Sequence, residues 1–331
     1  MMENWGLLGH EWAVDLLRKH VVNGPRHAYL FTGPQGVGRR TLALRFAQAL
    51  NAEAAPAPGE FDPASRTSQQ IERMQHPDLS VVQVAEDRRD ILIDQIRELG
   101  RGLALSPYMA RWKIALLLNF EHANENAQNA LLKTLEEPPA RVILLMTAES
   151  AEALLPTISS RCEVLRLRPM AAGALAAGLE RTAGVAAAQA GLLAHVSAGK
   201  PGAALRLNGQ PDALARRNTW LDGLAEALAG GPVARFAYAH ELSKDKATLM
   251  GALDVWLSLW RDVMIQAAGA GAALANPDRA AQVDALAAGV GLAAARRAAA
   301  AVERTAGLLQ QTNVNARLAA EVLLMEMPGT T

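Results

Sequence analysis

Residues 113–162 have the sequence KIALLLNFEHANENAQNALLKTLEEPPARVILLMTAESAEALLPTISSRC, in which two apolar segments flank a helical pattern. The segments Ile114–Leu118 and Val142–Met146 are short and bounded by polar residues, as buried parallel strands are. Between them, apolar residues recur at helical spacing as far as Leu135. The proline pair at 138–139 then ends the helix because proline cannot continue the hydrogen-bond ladder. The stretch therefore predicts strand, helix, strand, with functional groups at the C-terminal ends of the strands.

The composition limits the classes of protein to consider. A chain of 331 residues can form two or three domains, and 50% hydrophobic with only 4% aromatic residues favours a helix-rich protein. A formal net charge of zero argues against broad electrostatic adhesion to nucleic acid. Cys162 is the single cysteine, which excludes an intramolecular disulfide and fits a reducing compartment. No apolar run reaches the roughly 18 to 20 residues of a membrane span, so we expect a cytoplasmic protein without membrane contact.

A glycine-rich turn follows the first predicted strand, His27–Thr32. The turn reads GPQGVGRRT over Gly33–Thr41, and a helical segment continues to Leu50. A strand, a glycine-rich turn and a helix N-terminus form the phosphate cradle of a P-loop, in which backbone N–H groups face an anion. The candidate nucleotide-binding residues of this turn are Gly33, Gly36, Gly38, Arg39, Arg40 and Thr41.

The run NALLKTLEEPP at 129–139, followed by TISSRC at 157–162 and preceded by the glycine turn, resembles the clamp-loader branch of the AAA+ family. The branch serves the bacterial replicative polymerase, DNA polymerase III. The resemblance implies an α/β fold with three parts. These are a P-loop AAA+ core with a doubly wound parallel sheet at 1–168, a small helical lid domain at 169–208 and an all-α collar (oligomerisation) domain at 209–331. Strand–helix alternation from His27 to Leu167 independently predicts the doubly wound sheet.

The chemistry expected of a P-loop is missing from the glycine turn. A working P-loop carries a lysine that reaches the β- and γ-phosphates, followed by a Ser or Thr that holds Mg²⁺. Arg39 and Arg40 occupy these places. A planar guanidinium is a poor substitute for a compact ammonium, and Arg40 puts a cation where a metal ligand belongs. Thr41 comes one residue too late, which turns its side chain by about 100°.

The second ATPase motif is also altered. In the resembled family, the strand before the NALLK helix ends in an aspartate that assists Mg²⁺ and a glutamate that activates water. Counting back from Asn129, these places hold Leu118 and Asn119. Neither can replace a carboxylate, and a positioned base contributes about 10²- to 10⁴-fold. Glu121 lies two residues beyond. We therefore expect a degenerate P-loop that does not hydrolyse nucleotide, with ATP binding weak or absent.

Two further features of the family are lost. Relatives carry four cysteines that bind zinc in the segment before His76, and the matching places cannot supply thiolates. We therefore predict no zinc and no metal site. Active relatives also have an arginine that senses nucleotide near the start of the last lid helix. Gly202 occupies that place, and Lys200 nearby precedes a proline, which disfavours a helical conformation. The four positions that match the zinc cysteines are Ala52, Asp62, Ser65 and Ser68.

Arg161 is the residue to which we assign function. In clamp loaders, the Ser-Arg-Cys triplet presents an arginine finger, in trans, to ATP on the neighbouring subunit. The resemblance implies a hetero-pentamer with the tau/gamma ATPase subunits and the delta subunit, acting on the sliding clamp and primed DNA. Cys162 has no evident base partner, so we exclude a thiol nucleophile.

Two alternatives remain open from the sequence. The chain could itself be a Mg²⁺-dependent ATPase motor subunit in which Arg39 and Glu121 take altered roles. A DNA-binding repressor is a third interpretation, but the basic residues are too scattered in sequence to indicate a footprint. In the C-terminal half, an apolar stripe predicts core packing: Val255, Trp256, Leu259, Trp260 and Val263.

Overall fold

The computed structural model describes residues 3–85, 88–210 and 212–329, and these form two compact units. The first unit comprises Met1–Gly178 together with Lys200–Ala203. The second comprises Leu179–Gly199 and Ala204–Thr331. The three-part division into core, lid and collar stays a prediction.

The first unit is built on a parallel sheet in the spatial order β2-β3-β4-β1-β5. Every residue of β1, β3 and β4 is buried, which explains why these strands read as continuous apolar runs. The sequence prediction of a doubly wound parallel sheet is confirmed. The strands are β1 (Ala28–Thr32), β2 (Leu79–Val82), β3 (Lys113–Leu117), β4 (Val142–Ala148) and β5 (Glu163–Arg166).

Alternate residues of β1 face opposite sides of the sheet. Tyr29 and Phe31 belong to a cluster that includes Trp5 and Phe46 on one side. Leu30 belongs to the cluster on the other side. Helices therefore cover both faces, and functional groups can collect only at the strand ends.

Six helices of the first unit connect or precede these strands in the described residues. The helix of the NALLK run begins where the Asn124 side chain accepts a hydrogen bond from the Ala127 N–H group, and it ends at Glu136 before the proline pair. The six helices are α1 (Glu11–Asn23), α2 (Arg39–Leu50), α3 (Arg66–Glu72), α4 (Ile93–Leu103), α5 (Glu125–Glu136) and α6 (Pro156–Ser159).

The first helix begins later than its apolar pattern suggests. Its periodicity starts at Leu7, but Gly9 and His10 have φ values of 75° and 62°. These left-handed conformations prevent a helix from starting before Glu11.

The remaining helices lie in or lead into the second unit. Trp256, Leu259, Trp260 and Val263 are fully buried in its core, as the apolar stripe predicts, while Val255 is partly buried against it. The helices are α7 (Ala172–Ala183), α8 (Ala187–Val196), α9 (Pro201–Asn208), α10 (Ala213–Ala229), α11 (Gly231–Leu242), α12 (Lys246–Ala267), α13 (Ala280–Gln311) and α14 (Ala316–Glu326).

Helix α13 is interrupted at Gly291, whose φ of 69° and ψ of 169° are not helical. Within the described residues, the segment 277–310 is long and apolar enough to cross a membrane by length and composition alone. Core helices of soluble proteins meet the same criterion, and α13 packs along α12 in the second unit.

Candidate functional site

The glycine turn has the backbone geometry of a phosphate cradle. Gly33, Gly36 and Gly38 have φ values of 143°, 86° and 112°, a region that favours glycine. A Cβ atom on Gly33 would lie 2.4 Å from the Leu167 carbonyl oxygen, so this position has no room for a side chain. Helix α2 begins at Arg39 directly after the turn, and its N-terminal N–H groups face the space that an anion would occupy in a working site.

Arg39 is buried at the start of α2, directly after the glycine turn. The residue is only 6% exposed. Its Nη2 atom donates a hydrogen bond to Asn119 Oδ1 at 3.2 Å, and its Nη1 atom lies 3.8 Å from Glu121 Oε1. The guanidinium therefore reaches the end of β3, 80 residues away in sequence, where the second ATPase motif should supply its carboxylates.

The end of β3 has no metal-binding carboxylate at the expected places. Leu118 is 4% exposed and packs in the core beside the sheet. Asn119 has a left-handed backbone, with φ 50° and ψ 54°, and its N–H group donates to the Thr147 hydroxyl oxygen at 2.8 Å. Thr147 lies near the end of the neighbouring strand β4 and ties the two strand ends together. Thr147 was not among the residues predicted from the sequence, although a hydroxyl near the end of a buried strand is a recognisable signal.

Glu121 is brought to Arg39 although it lies two residues beyond the expected position. Its side chain is 14% exposed. The Oε2 atom of Glu121 and the Nη1 atom of Arg39 are both buried without a hydrogen-bond partner within the described residues. A buried guanidinium and carboxylate at this distance neutralise each other. An internal ion pair therefore occupies the end of β3, where an active ATPase has its catalytic carboxylates.

The next two turn residues point away from this pair. Arg40 is exposed, and its Nη2 atom lies 3.5 Å from the sulfur of Met74. Thr41 is also exposed. Neither side chain reaches Asn119 or Glu121 in the described contacts, so the turn brings no hydroxyl to a metal position.

Gly202, which occupies the position of the nucleotide-sensing arginine in active relatives, also lies near the glycine turn. The Ala203 N–H group donates to the Gly36 carbonyl oxygen at 3.2 Å, and Lys200–Ala203 belong to the first unit. Gly202, immediately before Ala203, brings no side chain to this contact. The start of α9 therefore closes on the turn through backbone atoms.

The segment predicted to lack zinc uses its polar residues for turns and caps. Asp62 accepts a hydrogen bond from the Ala64 N–H group, and Ser65 caps α3 by accepting from the Ser68 N–H group at 3.2 Å. The ring of His76 accepts from the Asp78 N–H group, and burial lowers the pKa of this histidine. Within residues 3–85, 88–210 and 212–329, no group of three or more His, Cys, Asp or Glu side chains could hold a metal ion.

Arg161 lies on the turn between α6 and β5 and has the opposite character from Arg39. Its side chain is 36% exposed. The Nη1 atom donates to the Thr157 carbonyl oxygen at 2.9 Å, and Nη2 donates to Glu136 Oε1 at 2.9 Å. Glu136 was not predicted as the partner of Arg161, although Glu136 lies in the NALLKTLEEPP run. The turn therefore holds an accessible cation in a defined orientation.

The residues beside Arg161 shape this turn. The Ser160 hydroxyl donates to the Thr157 carbonyl oxygen at 3.3 Å. The Cys162 thiol donates to the Ile158 carbonyl oxygen at 3.1 Å, and burial raises the pKa of this thiol to about 12. A thiol that stays protonated at neutral pH is a poor nucleophile, which agrees with excluding Cys162 from catalysis.

Known proteins match both units of the chain. Residues 9–171 match the family described as "DNA polymerase III, delta subunit", and residues 211–328 match "DNA polymerase III, delta subunit, C terminal". DNA polymerase III subunit delta' of Pseudomonas aeruginosa is 38% identical over 189 residues, which are 56% of this chain and 56% of that protein. DNA polymerase III subunit tau of Salmonella typhimurium is 34% identical over 148 residues, covering 44% of this chain and 22% of tau.

A solved structure of a gamma-subunit-related protein of DNA polymerase III from Thermotoga maritima aligns over 94% of this chain and 97% of its own, with 16% identity and a TM-score of 0.48. The chain spans about half the length of the Pseudomonas relative. The two family matches lie in the sheet-containing part and in the C-terminal helices, and together they cover most of the sequence. The chain therefore belongs to the delta-prime subunit family of bacterial DNA polymerase III, in the clamp-loader branch of the AAA+ proteins.

Proposed function

We propose that this chain is a non-hydrolysing subunit of the clamp loader of the bacterial replicative polymerase. In this role it is a structural member of the ring, and it supplies Arg161 in trans to ATP bound by a neighbouring ATPase subunit. The observation that carries the proposal is the contrast in one fold between a closed nucleotide site at Arg39 and an accessible arginine at Arg161.

The chemistry of the chain's own glycine turn supports the absence of hydrolysis. Hydrolysis needs a metal, a cation on the phosphates and a base or positioned water. Leu118 can bind no metal, and the Asn119 amide cannot act as a base. The Arg39 guanidinium donates to the Asn119 oxygen and pairs with Glu121. Weak or absent ATP binding is what this arrangement predicts.

The chemistry of Arg161 supports a role on a neighbour. A guanidinium has five N–H donors and keeps its charge at every physiological pH. Two nitrogen atoms of Arg161 donate hydrogen bonds within the chain, to the Thr157 carbonyl and to Glu136. The remaining N–H groups can meet the γ-phosphate oxygens on which charge is redistributed in phosphoryl transfer.

The partners follow from the proposed role. They are the tau/gamma ATPase subunits and the delta subunit in a hetero-pentamer, which places the sliding clamp on primed DNA in the cytoplasm. The similarity to tau over 148 residues supports a ring of related subunits. The second unit, whose helices match the C-terminal part of the delta family, would join the collar of this ring.

The test is reconstitution of the complex from this chain and its ATPase partners, with Arg161→Ala compared with wild type. Arginine fingers contribute about 10³- to 10⁵-fold in other phosphoryl-transfer systems. We therefore expect hydrolysis at the site that faces Arg161 to slow at least about tenfold, while the other sites of the ring still turn over. Arg166→Ala is the matched control, because Arg166 is an exposed arginine on the adjacent strand and pairs with Glu152 at 3.5 Å.

Size-exclusion chromatography of each reconstituted complex separates catalysis from assembly. The proposal expects the Arg161→Ala complex to assemble and to hydrolyse slowly, and the Arg166→Ala complex to match wild type. An assembled Arg161→Ala complex with the wild-type rate would show that Arg161 has no role in trans.

A further inference from the structure

Glu136 is the side chain that fixes the direction of Arg161. Its Oε1 atom accepts the Nη2–H group of Arg161 at 2.9 Å, across 25 residues of sequence. The Thr157 carbonyl oxygen accepts from Nη1 at 2.9 Å on the other side. The guanidinium is therefore held at two points, one on the last residue of α5 and one in α6.

The position of Glu136 is unfavourable for α5 itself. The residue ends the helix, where the macrodipole places partial negative charge, and a carboxylate there is unfavourable. Glu137 follows directly and adds a second carboxylate. Lys133 in the same turn supplies one cation, and Arg161 is the cation that contacts Glu136 directly.

The strength of the pair decides how Glu136 acts. The Glu136 side chain is 52% exposed and that of Arg161 is 36% exposed. Ion pairs this accessible are weak. Such a pair cannot withhold an arginine from a triphosphate, which forms stronger charge-assisted contacts. Together with the Thr157 carbonyl, it favours the rotamer of Arg161 in which both contacts form.

We infer that Glu136 is a positioning residue for Arg161. It holds the guanidinium between the Glu136 carboxylate and the Thr157 carbonyl, which leaves three N–H groups unused, before the neighbouring subunit presents its nucleotide. This inference rests on the proposed function of Arg161 in trans. It adds a second residue of this chain to the neighbour's ATPase reaction, although Glu136 itself does not touch the phosphates.

The experiment uses the full chain in the reconstituted complex and measures kcat and KM for ATP. Glu136→Ala removes the acceptor, and we expect kcat to fall about two- to fivefold, the range that an exposed ion pair supports. KM should stay unchanged, because the contact that Glu136 supports, between Arg161 and the γ-phosphate, acts in the transition state. Glu136→Gln keeps an oxygen that can accept the Nη2–H group, so its kcat should lie closer to wild type.

Glu137→Ala is the matched control. It removes a carboxylate from the adjacent exposed residue, and its kcat should equal that of wild type. A double-mutant cycle gives the most specific readout: Glu136→Ala should have no effect on kcat in an Arg161→Ala background. A residue that merely stabilised α5 would lower the rate equally in both backgrounds.

The outcomes separate this inference from the proposed function. If Arg161→Ala leaves the rate unchanged, the proposed function fails and the inference fails with it. If Arg161→Ala slows hydrolysis while Glu136→Ala behaves like Glu137→Ala, only the positioning role is wrong. An increase in kcat for Glu136→Ala would mean that the carboxylate restrains Arg161, which also overturns the inference.

Discussion

Arg39 and Arg161 each lie beside a glutamate, yet the two regions differ in their exposure to solvent. The Arg39 and Glu121 side chains are 7% and 14% exposed, whereas those of Arg161 and Glu136 are 36% and 52% exposed. A buried charge needs its partner, and losing one member is costly. An accessible pair is weak and can exchange its partner for a ligand. Burial therefore assigns the first arginine to the structure of the chain and makes the second available to another molecule.

Helix and sheet geometry explains how one chain contains both arrangements. Arg39 starts α2 beside the C-terminal end of β3, so its side chain has a short path to the place of the missing carboxylates. Arg161 follows α6 and precedes β5, which is the edge strand next to β1. A turn beside an edge strand has fewer neighbours to cover it than a turn at the centre of the sheet.

The largest expected effect is on the alkylation rate of Cys162, which reports on the packing of the Arg161 turn. Burial raises the pKa of its thiol to about 12, compared with about 8.5 for a free cysteine. The raised pKa means that almost no thiolate is present at pH 8. We expect alkylation by iodoacetamide at pH 8 to be about 10³-fold slower in the native chain than in the urea-unfolded chain.

The single cysteine makes this measurement unambiguous, since every modified chain is modified at Cys162. The native rate should rise tenfold for each pH unit between pH 8 and 10, as the thiolate fraction does. Equal rates for the native and unfolded chains would mean that the turn exposes its thiol, and the packing described for the Arg161 turn would be wrong.

Arg39→Ala is the next test and addresses the closed side of the comparison. The substitution leaves Glu121 buried without its cation, so we expect the first unit to lose about 2–3 kcal/mol of unfolding free energy. Native-state hydrogen exchange followed by mass spectrometry can measure this loss on peptides that contain β3, independently of the second unit. Arg161→Ala is the control and should change the same peptides by less than about 1 kcal/mol.

A double variant shows whether the Arg39 loss comes from the ion pair. Arg39→Met with Glu121→Gln removes both charges and keeps similar volumes, and it should recover most of the lost stability. If Arg39→Ala costs no more than Arg161→Ala, the pair between Arg39 and Glu121 is not part of the core, and the contrast between the two arginines disappears.

The sequence was sufficient for the sheet because buried parallel strands and a proline-terminated helix leave strong local patterns. The run at 113–162 contains three elements whose bounds can be read from apolar spacing and from the proline pair. The start of α1 was harder to predict, because apolar spacing does not show that His10, just before the helix, has a left-handed conformation. The interruption of α13 at Gly291 likewise has only one glycine as its local signal.

The candidate site was predictable in its identities but not in its contacts. Counting along the motifs identifies Arg39, Leu118 and Asn119, since each position is fixed by its distance from a neighbour in sequence. The inward direction of Arg39 depends on a contact across 80 residues, and the pairing of Arg161 with Glu136 spans 25. Such pairings depend on side-chain rotamers and on the folded sheet, which no local pattern specifies.

Titration of the isolated chain with fluorescent ATP in the presence of Mg²⁺ tests the closed nucleotide site, with a tau/gamma ATPase subunit as the positive control. We expect no saturable Mg²⁺-dependent binding up to about millimolar nucleotide and no phosphate release above background. Tight Mg²⁺-dependent binding with turnover by the chain alone would contradict the claim that its nucleotide site is closed and that its contribution to the reaction is Arg161.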